Sequence, residues 1–318
     1  MDILGTILWP FRWVIEVILV GFHWVFTAFG LDANDGWTWV LSIVGLVLVV
    51  RAALIPLFVK QIKSQRKMLE VAPDLQKIQA KYKGKRDQFS REAMTRETMA
   101  LYGKHGTSPF SSCLPLLFQM PVFFGLFTTL SNAAQEIAGI GLMNKTLAES
   151  FGQAVIFGSA PLHDSMATAN GNWVVIWIAG IMVVTMTVTQ FFLQKQIMSK
   201  NISQAVKDSP TYRQQQILLY VLPLVFLFSG FAFPLGVTLY WLVSNFWTMG
   251  QQFVVIRNMP TPGSPAYAEW EQRQTVRNIR KGIVAPTPDE VDETPKTPQR
   301  EQPRGKNRSK RGKERSNE

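Results

Sequence analysis

Arg51 places a permanent cation inside an apolar run, Trp37 to Val59, that is long enough to cross a bilayer. The fourteen residues before it hold no charge and only two hydroxyls, Thr38 and Ser42. A cation at that depth costs about 2.5 to 3.5 kcal/mol on insertion scales, so a chain keeps one where it meets a polar interior. The five apolar runs of span length contain no Asp or Glu, which leaves Arg51 without an acidic partner from those runs. It lies nine residues from the end of its run, roughly 13 Å along a helix. Two readings fit that depth. The guanidinium snorkels to the headgroups, or it faces a hydrated cavity whose counter-charge comes from another molecule.

Other polar side chains repeat at helical spacing inside the apolar runs. Thr238, Trp241, Asn245, Thr248 and Gln252 follow offsets of three and four and share one face. Thr187, Gln190 and Gln194 do the same in another run, and Gln119 adds a lone amide in a third. Such rows either line a shared polar groove with Arg51 or bond helix to helix.

The residue types needed for covalent or redox chemistry are not grouped. The sequence has no phosphate-binding loop, no Ser/His/Asp grouping and no intramembrane acid pair. His23, His105 and His163 are far apart, and the single cysteine, Cys113, excludes an internal disulfide and a cysteine-based metal site. These patterns predict a protein that is not an enzyme, with no cofactor and no metal. Nothing points to DNA as a partner.

The elements that must position these groups are helices. The chain has 318 residues, 47% of them hydrophobic, with the apolar content gathered in runs near twenty residues. That predicts an all-α polytopic membrane protein. The expected spans are 37–59, 113–131, 173–193, 217–233 and 235–256, a five-helix core within residues 37–256. The last two are joined so tightly around Phe233, Pro234 and Gly236 that they read as an antiparallel pair. Residues 1–36 form a separate N-terminal segment without a basic leader or an obvious cleavage site. Its polar residues Arg12, Glu16 and His23 share one helical face among many aromatics, which suits an interfacial helix or a first span. Residues 60–112 are polar and basic, with two helical patterns separated by the Lys83–Arg86 turn and a kink expected at Pro73. They predict an antiparallel helical hairpin. Its Met68, Met94 and Met99 are either a soft binding surface or the hairpin's own core.

Charge orders the topology. The 60–112 segment holds 12 Lys and Arg, the 194–215 loop 4 and the tail from 257 a further 14, which is 30 of the 33 in the chain. All three are expected on the cytoplasmic side, with loop 132–172 external and the C-terminus cytoplasmic. Residues 268–282 have the pattern of a short amphipathic helix. After Pro286 the composition predicts disorder, ending in a cationic block with Arg304, Arg308 and Arg311 and with Lys306, Lys310 and Lys313. That block suits anionic lipid or ribosomal RNA.

Three segments in this order carry a resemblance. Val49–Met68 (VVRAALIPLFVKQIKSQRKM), Cys113–Phe127 (CLPLLFQMPVFFGLF) and Pro234–Gln252 (PLGVTLYWLVSNFWTMGQQ) resemble the YidC family of membrane-protein insertases. That family includes relatives of the mitochondrial oxidase-assembly translocase and the chloroplast thylakoid insertase. The short segment before Trp37 is similar to the Gram-positive and actinobacterial forms. The resemblance covers roughly residues 37–256. It implies a positively charged groove open to cytoplasm and lipid and closed outside, with Arg51, Gln119 and Trp241 at the family's groove positions. It also implies insertion and folding of nascent membrane-protein clients in the bacterial plasma membrane, alone or beside the Sec translocon. From their charge, the basic tail and hairpin are expected to hold the ribosome. The competing class is a small-solute transporter or channel. It predicts inverted repeats, and none is visible in the sequence.

Overall fold

The computed structural model describes residues 3–85, 87–106, 108, 114–202, 207, 210–281 and 283. The chain divides into two units, Met1–Trp270 and Glu271–Glu318. The described part of the second unit is the end of one helix and the residues just after it.

Ten helices account for almost all described structure: α1 (Ile3–Ala28), α2 (Gly36–Ala53), α3 (Ile55–Lys81), α4 (Gln88–Lys104), α5 (Leu114–Ala134), α6 (Lys145–Gly152), α7 (Trp173–Lys200), α8 (Pro210–Ala232), α9 (Leu235–Asn258) and α10 (Pro265–Arg280). Side-chain caps start several of them. The Asp35 carboxylate accepts from the Trp37 amide at the head of α2, and Asp87 accepts from Ser90 at the head of α4. Asn144 and Asn172 cap α6 and α7 in the same way, each satisfying amides that lack a partner in the first turn. Of the described helices, three have stretches long and apolar enough to cross a membrane: Gly5–Ala28, Gly36–Ala53 and Trp173–Lys200. The protein is an all-α polytopic membrane protein.

The apolar run 37–59 is not one helix. It divides at Leu54, which ends α2 and begins α3. Pro56, in the first turn of α3, has no amide to donate to the carbonyl four residues back, so the helical hydrogen-bond ladder lapses there. Arg51 therefore stands in the last turn of α2. α3 then continues unbroken through Pro73 to Lys81.

α9 is the centre of the bundle, packed on α7 and α2 and touching α5 lightly. α1 packs on α2 and α5, with the Phe22 ring over Gly45 and Ile15 over Gly125. Gly45 is needed there, because a Cβ would meet the Phe22 ring at 2.7 Å, while at Gly125 it would come to 3.0 Å from the end of the Ile15 side chain. α8 and α9 follow one another through Phe233 and Pro234, and both pack on α7. The shared core runs through Trp39, Ile43, Leu46, Leu126, Leu130, Val175 and Leu235.

Residues 135–172 fold into a cap over one end of this bundle. α6 and a two-residue antiparallel pair, β1 (Val155–Ile156) and β2 (Ala160–Pro161), bury Phe151, Ala154, Ile156 and Leu162 in the common core. Trp39 Nε1 donates to Ser150 Oγ at 3.1 Å, and Ser150 Oγ donates to the Ala33 carbonyl at 2.9 Å. The Leu235 and Gly236 amides at the start of α9 donate to the Asp164 and Leu162 carbonyls at 2.8 and 3.0 Å. Donors that a helix start leaves unpaired are thus satisfied by the cap.

The cap also reaches α1. Glu16 is fully buried, and its carboxylate accepts from the Ile140 amide at 3.0 Å and the Gly141 amide at 2.7 Å. A Cβ on Gly139 would collide with that carboxylate. His23, also buried, bonds the Ala33 carbonyl through Nε2 at 2.9 Å and lies against the Trp39 ring. Glu16 and His23, from the polar stripe of α1, therefore face protein. Trp9, Trp13 and Trp24 form the exposed side.

α3 and α4 pack together as a helical hairpin. Lys81 pairs with Glu97 across it, and the Tyr82 hydroxyl donates to the same carboxylate at 2.8 Å. Between the helices lies a cavity of about 260 Å³ lined by Leu75, Met94, Thr98, Met99 and Tyr102, among others. Met94 and Met99 thus belong to the inner face of the hairpin, with Met99 half exposed at its edge.

Candidate intramembrane groove

Arg51 is twelve residues beyond Trp39, which puts it about 18 Å along α2 from the cap. It is partly buried. Its guanidinium carbon lies 5.8 Å from the centroid of the Phe58 ring in α3, a cation–π arrangement. The Tyr240 phenol of α9 is close enough to interact electrostatically with it. Among the described residues no carboxylate pairs with Arg51.

Gln119 of α5 joins this group through Tyr240. Its Nε2 donates to the Tyr240 hydroxyl at 3.0 Å. Three helices thus bring a cation, a phenol and an amide together. Sequence spacing did not single out Tyr240, which points one residue away from the Thr238–Trp241–Asn245 row. The available signal was a second row, Tyr240 and Ser244, four apart on the same helix.

Trp241 stands in an aromatic cluster. Its ring stacks on Phe123 of α5 at 5.2 Å and 14° and meets Phe233 edge-on at 4.7 Å. Phe127 closes the cluster against Phe233 at 5.9 Å. This apolar plug fills the space between α5 and the start of α9.

The other members of the α9 row face different surroundings. Thr238 is fully buried, and its hydroxyl donates to the Pro234 carbonyl of its own helix at 3.1 Å. Asn245 donates to the Met186 carbonyl at 3.0 Å and to Thr189 Oγ1 at 3.1 Å, binding α9 to α7. Thr248 donates to the Ser244 carbonyl at 2.8 Å. On α7, Gln190 is half buried and the Thr187 hydroxyl is buried with no hydrogen-bond partner. Ser244 Oγ and Thr129 Oγ1 are in the same state. Buried hydroxyls of this kind find water or a ligand group to bond. The members of this row thus have different partners: Asn245 bonds to α7, Trp241 stacks on Phe123 of α5, and Thr238 and Thr248 bond within α9. Arg304, Lys306, Arg308, Lys310, Arg311 and Lys313 lie outside the described residues.

No group of three or more His, Cys, Asp or Glu suited to a metal occurs among the described residues. What the arrangement offers is a cation, hydrogen-bonding groups and aromatic surface at membrane depth, beneath a packed cap. That describes a polytopic membrane protein with charged, polar and aromatic groups gathered inside its helical bundle.

Comparison with known proteins agrees on the family. The sequence profile described as "60Kd inner membrane protein" matches residues 31–262. The chain is 43% identical over 319 residues to the membrane protein insertase YidC of Tropheryma whipplei strain Twist, covering 98% of each chain. It is 43% identical over 272 residues to YidC of Streptomyces avermitilis, covering 83% of this chain and 60% of that one. It is 38% identical over 291 residues to YidC of Bifidobacterium longum, covering 88% and 84%. The chain belongs to the 60Kd inner membrane protein family, the YidC family of membrane-protein insertases.

Proposed function

We propose that this protein is a membrane-protein insertase that takes polar segments of nascent clients into a groove beside Arg51 and releases their apolar helices into lipid. The observation that carries the reading is Arg51 itself, partly buried, set against Phe58 and near Tyr240, with no carboxylate partner among the described residues. An acidic or polar client segment supplies the missing counter-charge. Gln119, Tyr240 and the unbonded Ser244 and Thr187 hydroxyls supply hydrogen bonds to it. Trp241 with Phe123 and Phe233 gives the apolar wall along which the client helix slides.

Direction follows from the cap and the charge. With 30 of the 33 Lys and Arg in the hairpin, the 194–215 loop and the tail, these segments are cytoplasmic and the cap is external. The groove then opens to the cytoplasm and to lipid, and α2, α5, α7, α8 and α9 are the spans. Partition of the client helix drives the step, at about 0.8 kcal/mol per buried CH₂, and no nucleotide is consumed. The hairpin receives clients or their delivery machinery, the Sec translocon is a neighbour for larger clients, and the basic tail engages the ribosome or anionic lipid.

The experiment is photocrosslinking from position 119 or 241 to a stalled nascent chain bearing one span. Crosslinks that appear with the chain in transit and vanish on its release support the groove. Crosslinks confined to position 177, on the exposed face of α7, would place clients at the lipid face instead.

A further inference from the structure

The last described helix has a surface that the insertase reading does not use. α10 begins at Pro265, and only Met259–Ser264 separates it from the end of α9. Its first turns are held by contacts of their own. Ala266 is buried, and the Tyr267 and Trp270 rings lie 5.4 Å apart. On a helical projection these residues occupy the side opposite Val276 and Ile279, and Ile283 lies just beyond the helix end. Those three apolar residues are 50%, 67% and 57% exposed. Arg273 and Arg280 border them along one edge, with Arg277 and Lys281 beyond.

An apolar stripe edged by arginines, on a short helix that follows a membrane helix, has the chemistry of an element that lies in the headgroup layer. The arginines fit anionic lipid, and the methylene stems of such side chains pack along apolar surface while the charge stays at the phosphates. We propose that α10 is an anionic-lipid anchor, with Val276, Ile279 and Ile283 sunk into the bilayer surface and Arg273, Arg277 and Arg280 on the headgroup phosphates. The proposal rests on α9 being a spanning helix. It is distinct from the Lys/Arg block near the C-terminus, because it joins charge to an inserted apolar face and so depends on both.

The test uses the full chain with Cys113→Ser and one added cysteine carrying a fluorophore, reconstituted in vesicles containing phosphatidylglycerol and in vesicles of phosphatidylcholine alone. Lipids bearing a quencher on the acyl chain report insertion. A label at Ile279→Cys is expected to be quenched several-fold more than one at Gln274→Cys on the opposite face. That difference is expected only with phosphatidylglycerol, and to fall when Arg273, Arg277 and Arg280 are changed together to Gln. Equal quenching at 274 and 279, or the same quenching without anionic lipid, overturns the anchor. Protection of the 279 label by added ribosomes in place of lipid quenching assigns the face to RNA and also overturns it. A label at Phe253→Cys, on the exposed side of α9, is quenched in either vesicle if α9 spans, so failure of that premise is seen separately.

Discussion

The Gln119 amide donates to the Tyr240 hydroxyl at 3.0 Å, and this one bond ties α5 to α9 beside Arg51. The Trp241–Phe123 stack, at 5.2 Å, joins the same two helices about a turn away. Tyr240→Phe leaves the Gln119 amide without its acceptor, at a cost of about 1 to 3 kcal/mol. Gln119→Leu combined with Tyr240→Phe is expected to recover most of that stability. Thermal unfolding of the two single variants and the double variant in detergent measures the coupling. Strict additivity of the singles would show that the bond contributes nothing.

The buried carboxylate of Glu16 predicts a structural role for α1. Glu16→Ala strips the Ile140 and Gly141 amides of their acceptor, and hydrogen bonds to a charged group are worth about 1.5 to 3 kcal/mol each. The expected result is a lower melting temperature together with faster proteolysis of loop 135–144. Gly139→Ala, whose Cβ would run into the same carboxylate, is expected to give the same loop exposure.

Asn245 is expected to act on stability and not on clients. Its amide joins α9 to α7 through Met186 and Thr189. Bonds of this kind between membrane helices average about 0.6 kcal/mol and reach about 1.7. Asn245→Ala should lower stability by that amount while insertion per folded molecule is unchanged. Insertion activity that falls well beyond the loss of folded protein would move Asn245 into the groove.

The hairpin carries a pH dependence with a defined sign. The hydrogen bond from Lys81, with a second from Tyr82, holds the Glu97 carboxyl below its usual range, and the same Glu97 bond raises Lys81. The Glu97 contribution is present above the ordinary carboxylate range, near pH 4.3, and is lost as pH falls through the lowered value. The Lys81 contribution is present below the ordinary lysine range, near pH 10.4, and is lost as pH rises through the raised one. Spin-label distances between α3 and α4 should be flat from about pH 6 to 9 and widen at both extremes. Glu97→Gln should remove the acid-side widening.

Much of this architecture is readable from residues alone, and for identifiable reasons. Long apolar runs and the sign of the charge between them reflect the bilayer itself, which acts on every residue of a span. Arg51 stood out because one charge in such a run is costly. The cap was not readable, because its elements are an eight-residue helix and two-residue strands with no sustained period. Its ties are long-range as well. Glu16 meets its amides across 124 and 125 residues, and Trp39 meets Ser150 across 111. Tyr240 was passed over because helical spacing identifies a face but not the neighbour that it meets. The division of run 37–59 at Leu54 was not expected from spacing, although Pro56 lies just beyond it, and the meeting of Phe58 with Arg51 depends on how α3 leaves α2.

The central claim is that Arg51 is left for the client's charge. The direct measurement is insertion of a single-span client with aspartates in its translocated tail, into liposomes containing only this protein, with Arg51→Ala compared against Arg51→Lys. Arg51→Lys is expected to retain most activity, and Arg51→Ala to lose about an order of magnitude, the effect of roughly 1.4 kcal/mol, on this client but not on a neutral-tailed one. Full activity of Arg51→Ala on the acidic client would contradict the account.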